Sequence, residues 1–207
     1  PIYIKEKDAQ HMWIGTATGL YLLDKETGKY QCISMPIESF YINALYQTPD
    51  SLLYIGTSNS GLLIYNHQRK SFEHFHKDNC PLISNNIYTI LPDGNKSVLL
   101  STENSLTSYY PAGKIFHNWT KEQGLKSDHF NSTSGVLRKN GNFILGSTDG
   151  AIEFHKDMMI PRNYEFKMIF SDLRVFYQTV YPGDEGSPLE VDIDETQVLK
   201  LKYNQNI

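Results

Sequence analysis

The chain has little of what would mark disulfide, metal, membrane or nucleic-acid chemistry. Only two cysteines, Cys32 and Cys80, occur in 207 residues. That is too few for a disulfide framework or a thiolate cage, and their unlike contexts predict two free thiols. No run approaches the roughly 18 apolar residues that a membrane helix requires. Residues 1–160 hold 15 acids against 14 bases, and residues 161–207 hold 8 against 5. Neither part has the basic surplus that a phosphate backbone demands, which argues against nucleic acid as a partner. The chain opens at Pro1 without a charged-then-apolar leader, so no targeting signal is read. No window of a dozen residues keeps apolar side chains at i, i+3 and i+4, which excludes helical repeats. No nucleophile elbow, phosphate loop or paired metal signature is present. What the chain does have is 40% hydrophobic residues and 13% aromatics, with 14 Tyr and 10 Phe, enough for a packed core.

A repeat organises residues 1–160. The segment Trp13-Ile14-Gly15-Thr16 recurs as Tyr54-Ile55-Gly56-Thr57, Leu99-Leu100-Ser101-Thr102 and Ile144-Leu145-Gly146-Ser147, at spacings of 41, 45 and 45 residues. Each copy is followed by a second hydrophobic run, beginning at Gly19, Gly61, Ser105 and Gly150. The first three copies add a third run, at Tyr30, Phe72 and Ile115. A fourth run precedes each motif, at Ile2, Tyr41, Ile87 and Ser134. The runs are short, aromatic or β-branched, and bounded by turn pairs such as Pro49-Asp50, Thr27-Gly28 and Asn140-Gly141. That is a strand grammar. Four short antiparallel strands per 41–45 residues make one blade of a β-propeller, and the glycine of the motif suits close packing between blades. The expected fold is all-β. The fourth copy lacks a fourth strand, which suggests that residues 1–160 are the C-terminal blades of a larger ring with an uncovered apolar flank. Residues 161–207 change character. Phe166 to Phe176, Val191 to Ile193 and Val198 to Asn206 read as the opening strands of an incomplete Ig-like β-sandwich.

The pattern Asp8-Ala9-Gln10-His11-Met12-Trp13-Ile14-Gly15-Thr16-Ala17-Thr18-Gly19-Leu20, with Asp24 and Thr27-Gly28, resembles the two-component regulator propeller repeat. The tail is similar to the start of the three-tyrosine, Ig-like domain. The matching residues are Phe170-Ser171-Asp172-Leu173, Ser187-Pro188-Leu189 and Leu201-Lys202-Tyr203-Asn204-Gln205-Asn206. The third copy departs from the pattern at Leu99, Ser101 and Ser105. The resemblance implies a periplasmic sensor region of a hybrid two-component histidine kinase and response regulator. It implies an oligosaccharide ligand, a homodimer in the full receptor and a membrane anchor outside this segment. None of the kinase chemistry lies in these residues.

Several side chains invite a chemical role. His74 and His76 share one side of a strand, a spacing that could hold a metal, but no acid or thiol stands at a supporting spacing. Neither a metal nor any other cofactor is expected. Asp24, Asp50, Asp93 and Asp149 fall at turns, where bonds to local backbone account for them better than a glycosidase pair. Asn95-Lys96-Ser97, Asn118-Trp119-Thr120 and Asn131-Ser132-Thr133 match glycosylation sequons, which carry weight only outside bacteria. The better candidate is the propeller rim, where the turn between second and third strands shares a side with the connections between blades. That rim gathers Thr18, Tyr41, Asn43, Asn59, Asn85, Asn86, Asn104, His129, Asn131 and Asp149, a set suited to sugar hydroxyls and ring faces. Trp119 with Arg138 is a second candidate. The rival functions are a propeller polysaccharide lyase or hydrolase, which needs a clustered acid and base, and a protein-interaction scaffold.

Overall fold

The computed structural model describes residues 3–38, 41–93, 97–159 and 169–201. It divides into two compact units, Pro1–Pro161 and Arg162–Ile207.

The first unit is built of successive antiparallel meanders. Sheet one is β1 (Tyr3–Glu6), β2 (His11–Gly15), β3 (Leu20–Asp24) and β4 (Tyr30–Ile33). Sheet two is β5 (Tyr41–Gln47), β6 (Leu52–Ser58), β7 (Leu62–Asn66) and β8 (Ser71–Phe75). Sheet three is β9 (Ile87–Pro92), β10 (Val98–Thr102), β11 (Leu106–Tyr110) and β12 (Ile115–Trp119). Sheet four has three strands, β13 (Phe130–Leu137), β14 (Asn142–Ser147) and β15 (Gly150–His155). Each is a propeller blade, and β1, β5, β9 and β13 pack in succession as its inner strands. The inner strand of the fourth blade starts at Phe130, four residues ahead of the expected Ser134, because a large register shift between Phe130 and Gly135 interrupts its pairing. Among the described residues the helical content is two short 3-10 turns.

The core lies between the blades. One buried cluster, around Trp13, Leu20, Ile42 and Leu63, joins blades one and two. A second, around Tyr54, Ile64, Ile87 and Tyr109, joins blades two and three. A third, around Leu99, Phe130, Phe143 and Ile152, joins blades three and four. The middle blades are therefore buried on both faces, and β6 and β10 are buried almost without a break along their length. β2 and β14 instead alternate between buried and half-buried positions, because one face of each outer blade has no neighbour among the described residues. On blade one that face carries Ile4, Met12, Ile14, Tyr21, Leu23 and Tyr30, none of them buried.

The repeated glycine has a steric reason. A Cβ added to Gly15 would stand 2.5 Å from Cγ2 of Ile42, and one added to Gly56 would stand 2.7 Å from Cγ2 of Ile87. Each glycine thus admits the β-branched residue that opens the inner strand of the next blade. Gly146 differs, since its Cβ would meet Ser134 of its own sheet. The repeated hydroxyl is equally specific. Thr16, Thr57, Thr102 and Ser147 each donate a side-chain bond across the turn between second and third strands, to the carbonyls of Gly19, Gly61, Ser105 and Gly150 at 2.8–3.1 Å.

The second unit holds less regular structure than the sequence predicts. Residues 166–168 of the run from Phe166 lie outside the described residues, and 169–173 form no strand. A short ribbon pairs β16 (Arg174–Val175) with β17 (Gln178–Thr179). Val191–Ile193 lies among turns and bends, 198–201 forms no strand, and the rest of the segment expected to run to Asn206 lies outside the described residues. Sandwich strands are held by their neighbours, and this ribbon gives only one such pairing. Cys32 and Cys80 are free thiols, as expected.

Two outcomes follow from this packing. Gly56→Ala should cost about 1–3 kcal/mol by overpacking, read as a lower urea midpoint. Adding Ile87→Leu, which removes the offending branch, should recover part of that loss; equal destabilisation in the double variant would refute the steric account. Light scattering should show the chain self-associating through this face, and Tyr21→Lys with Leu23→Lys should return it to a monomer. An unchanged mass would show that the free face of blade one does not drive it.

Candidate functional site

The turns that follow β2, β6, β10 and β14 all lie on the side where one blade connects to the next. Their geometry starts with the hydroxyl bonds just described, which fix each turn and leave its central residues facing outward. Thr18 is held by Thr16, whose Oγ1 accepts from the Thr18 amide at 3.0 Å. The amides of Asn104 and Asp149 are likewise held by Thr102 and Ser147.

Three of the predicted residues, Asn59, Asn86 and His129, join in one network, which spans three blades. The amide of Asn59 in blade two donates to Oδ1 of Asn86 at 2.8 Å. Nδ2 of Asn86, at the entry to blade three, donates to Oε2 of Glu103 at 2.8 Å. The carbonyl of Glu103 accepts from Nδ1 of His129 at 3.3 Å, at the entry to blade four. Asn85, beside Asn86, accepts from the Lys77 amide through Oδ1 at 2.8 Å. Asp128 lies next to His129, and Lys121 reaches it at 3.2 Å. Burial opposes charge on Asp128, but the bond and charge of Lys121, a backbone hydrogen bond and the nearby His129 together hold its carboxyl below the ordinary value. Asn59, Glu103 and His129 are exposed. The arrangement offers a carboxylate, an ammonium, an imidazole and side-chain amides on one surface, a set that can exchange hydrogen bonds with a polyhydroxylated ligand.

The remaining predicted residues separate into other roles. Asn43 is buried; its Nδ2 donates to Ser58 Oγ at 2.9 Å and to the Ile87 carbonyl at 3.1 Å, stitching blade two to blade three beneath the rim. It is a structural residue. Asn131 is exposed, and its Nδ2 donates to the Ser147 carbonyl within its own sheet. Thr18 and Tyr41 are exposed in blades one and two, and Asn104 and Asp149 in blades three and four; no side-chain bond joins them to the network. Trp119 and Arg138 do not form a joint site. Trp119 Nε1 faces Ser108 Oγ at 3.4 Å, while Arg138 pairs with Glu153 at 3.2 Å. The rings of His74 and His76 lie with centroids 4.9 Å apart and planes tilted by 48°, but Nε2 of His74 is bonded to the Ser60 carbonyl at 2.6 Å, which removes that nitrogen as a ligand. No group of three His, Cys, Asp or Glu suited to a metal occurs among the described residues.

Glu103 is the residue that sequence reasoning missed. It occupies the turn position held by Ala17, Ser58 and Thr148 in the other copies. A charged side chain at a position otherwise small was the available signal.

With four meandering blades and a polar rim in place, the fold is that of the extracellular domains of hybrid two-component sensors. Two such domains from Bacteroides thetaiotaomicron superpose with TM-scores of 0.61 and 0.62, at 19% and 21% identity, over 74% and 73% of this chain and 23% and 21% of theirs. In sequence the chain is similar to histidine kinase P4 of Formosa agariphila, 25% identical over 210 residues, which is 94% of this chain and 15% of that protein. The chain thus spans about a seventh of this relative and under a quarter of either solved structure. No family model matches it. The resemblance read from the four Trp-Ile-Gly-Thr copies agrees with all three matches. No helix among the described residues is long and apolar enough to cross a membrane.

The division between rim and scaffold is measurable. Asn43→Ala should cost about 1–3 kcal/mol, because its buried partners lose their bonds. Asn86→Ala, at the more open surface, should cost under about 0.5 kcal/mol. Equal losses in chemical denaturation would contradict this assignment.

Proposed function

We propose that the chain is part of the extracytoplasmic ligand-sensing region of a hybrid two-component histidine kinase, that it responds to an oligosaccharide, and that the response controls carbohydrate-utilisation genes. The observation that carries this reading is the network Asn59–Asn86–Glu103–His129. It places exposed amide, carboxylate and imidazole groups across three blades on one side of a fold shared with sensor domains. A sugar spanning that surface would bond to several blades at once and favour one arrangement of them. In a dimeric receptor, occupancy would shift the balance between two arrangements, and only by the difference in affinity for each. The chemistry of signalling belongs to parts of the receptor outside this segment, and nothing in the rim need turn over its ligand.

A panel of oligosaccharides screened by thermal shift and calorimetry tests this. One glycan class should raise the melting temperature of the wild-type chain, with the affinity reduced at least tenfold in Asn86→Ala with Glu103→Gln. New reducing ends or unsaturated products in the same samples would make the protein an enzyme instead. Binding that survives both substitutions would move the ligand off the rim.

A further inference from the structure

His67 lies in the turn between β7 and β8 and reaches into the seam between blades one and two. Its ring centroid stands 5.6 Å from that of Trp13 in blade one and 6.1 Å from that of Tyr65 in its own blade, with planes at 79° and 73°. The indole Nε1 donates to Oε1 of Gln47 at 2.7 Å, and Nε2 of Gln47 donates to the Lys7 carbonyl at 3.2 Å. Imidazole, indole, amide and the β1–β2 turn thus form one packed chain across the seam. One blade on, the repeat register puts Tyr54, Pro92, Tyr109 and Pro111 where Trp13, Gln47, Tyr65 and His67 stand. No imidazole stands at that position, and a cleft of about 660 Å³ opens beside Tyr54.

We infer that the seam between blades one and two is a pH-sensitive joint, closed while His67 is neutral and loosened when its ring takes up a proton. Nδ1 of His67 is buried and has no hydrogen-bond partner. A neutral imidazole can leave its lone pair there and carry its proton on Nε2. An imidazolium carries a proton on both nitrogens, so a charged N–H would be buried without an acceptor. Other histidines are placed differently. His11, His76, His129 and His155 each stand 2.9–3.8 Å from a carboxylate, which supplies a counter-charge when they protonate. Around His67 the charges are mostly of one sign: Lys7 and His11 face it from blade one, and Lys70 from its own turn. Asp8 is the acid that faces it. That carboxylate already accepts from Lys7 Nζ at 2.6 Å, from His11 Nδ1 at 2.9 Å, and from the Gln10 and His11 amides. Tyr65 stays neutral, since burial pushes its hydroxyl up. Burial first, and then Lys7, His11 and Lys70 against Asp8, hold the His67 ring below its ordinary value of 6.5. The seam therefore keeps its full contribution to stability above that value. It loses that contribution as pH falls below 6.5, where the unfolded chain takes up a proton that the closed seam refuses. The turn that carries His67 lies on the side opposite the rim network, so the joint does not depend on the oligosaccharide reading.

Trp13 and Trp119 are the two tryptophans, so Trp119→Phe leaves the seam as the fluorescent reporter. Between about pH 7.5 and about pH 5, the range in which an ordinary histidine titrates, the lifetime-corrected acrylamide quenching constant of Trp13 should rise at least twofold. Circular dichroism over the same range should show the chain still folded. His67→Phe, which keeps a flat ring but takes up no proton, should leave the constant flat. Lys7→Gln should move the midpoint of the rise to higher pH, a shift that a mere packing role of His67 would not produce. If Trp119→Phe does not fold, the Nε1–H resonance of Trp13 in the wild-type chain, read against that in His67→Phe, gives the same test. A quenching constant or resonance that ignores pH, an equal change in His67→Phe, or a midpoint unmoved by Lys7→Gln would each overturn the assignment.

Discussion

The contact on which this structure depends is small: a glycine in the second strand of one blade receives the branched side chain that opens the first strand of the next. Blade sheets can approach closely only where one backbone presents no Cβ, and Ile42 and Ile87 sit in those gaps. Once that approach is fixed, the rest of each interface follows. Large side chains further out, such as Trp13 and Tyr54, fill the widening wedge between sheets that diverge from the inner strands. Blade three shows what happens when the device is altered. Ser101 replaces the glycine, and its buried hydroxyl, like that of Thr89 paired across the strands, has no partner among the described residues. The neighbouring inner strand there is also the one with the large register shift, between Phe130 and Gly135. The close approach in this seam passes to the inner strand of blade four, where a Cβ on Gly135 would stand 2.7 Å from Cγ2 of Thr89.

The second repeated element links the scaffold to its surface. In all four blades a hydroxyl ties off the turn between second and third strands, so the turn carbonyl is satisfied without help from outside. The residues at the tip are then released from a folding role and can differ between blades. They are Ala17-Thr18, Ser58-Asn59-Ser60, Glu103-Asn104 and Thr148-Asp149. Constancy beneath and variation above is a physical requirement for a repeat that displays different groups on one rim. The network through Asn86 uses that freedom, since it joins the tip of blade two to the tip of blade three through an entry residue between them.

The strand inventory of the first 160 residues was legible because turn pairs and hydrophobic runs recur at nearly constant spacing, and the glycine and hydroxyl mark the same place each time. The rim was legible as a region but not residue by residue. Asn43 looked like a rim side chain from its place near the start of an inner strand. The bulge between Ile42 and Ala44 leaves it outside the pairing register and turns it inward, and a bulge has no signature in a single sequence. Glu103 was passed over because its partner lies 17 residues away across a blade boundary. In the tail, the strand expected from Val191 to Ile193 is not formed. Alternation from Val191 to Ile193 resembles a strand, but alternation describes a face and does not supply the neighbour that would pair with it.

The contrast between the two seams shows how such a fold varies its packing without new architecture. Trp13 and Tyr54 occupy the same register position, and both are almost fully buried. Replacing an indole by a phenol removes volume from the wedge, and replacing Gln47 by its counterpart Pro92 removes the acceptor that held the indole nitrogen. Neither change disturbs the inner contact, because Gly56 and Ile87 still meet as Gly15 and Ile42 do. Packing near the hub therefore tolerates loss of packing further out, and a cleft can open in one seam while its neighbour stays closed. Interiors are usually intolerant of missing volume. In a propeller the outer wedge is the exception, since it is bounded by two independently hydrogen-bonded sheets that need not collapse when the space between them empties.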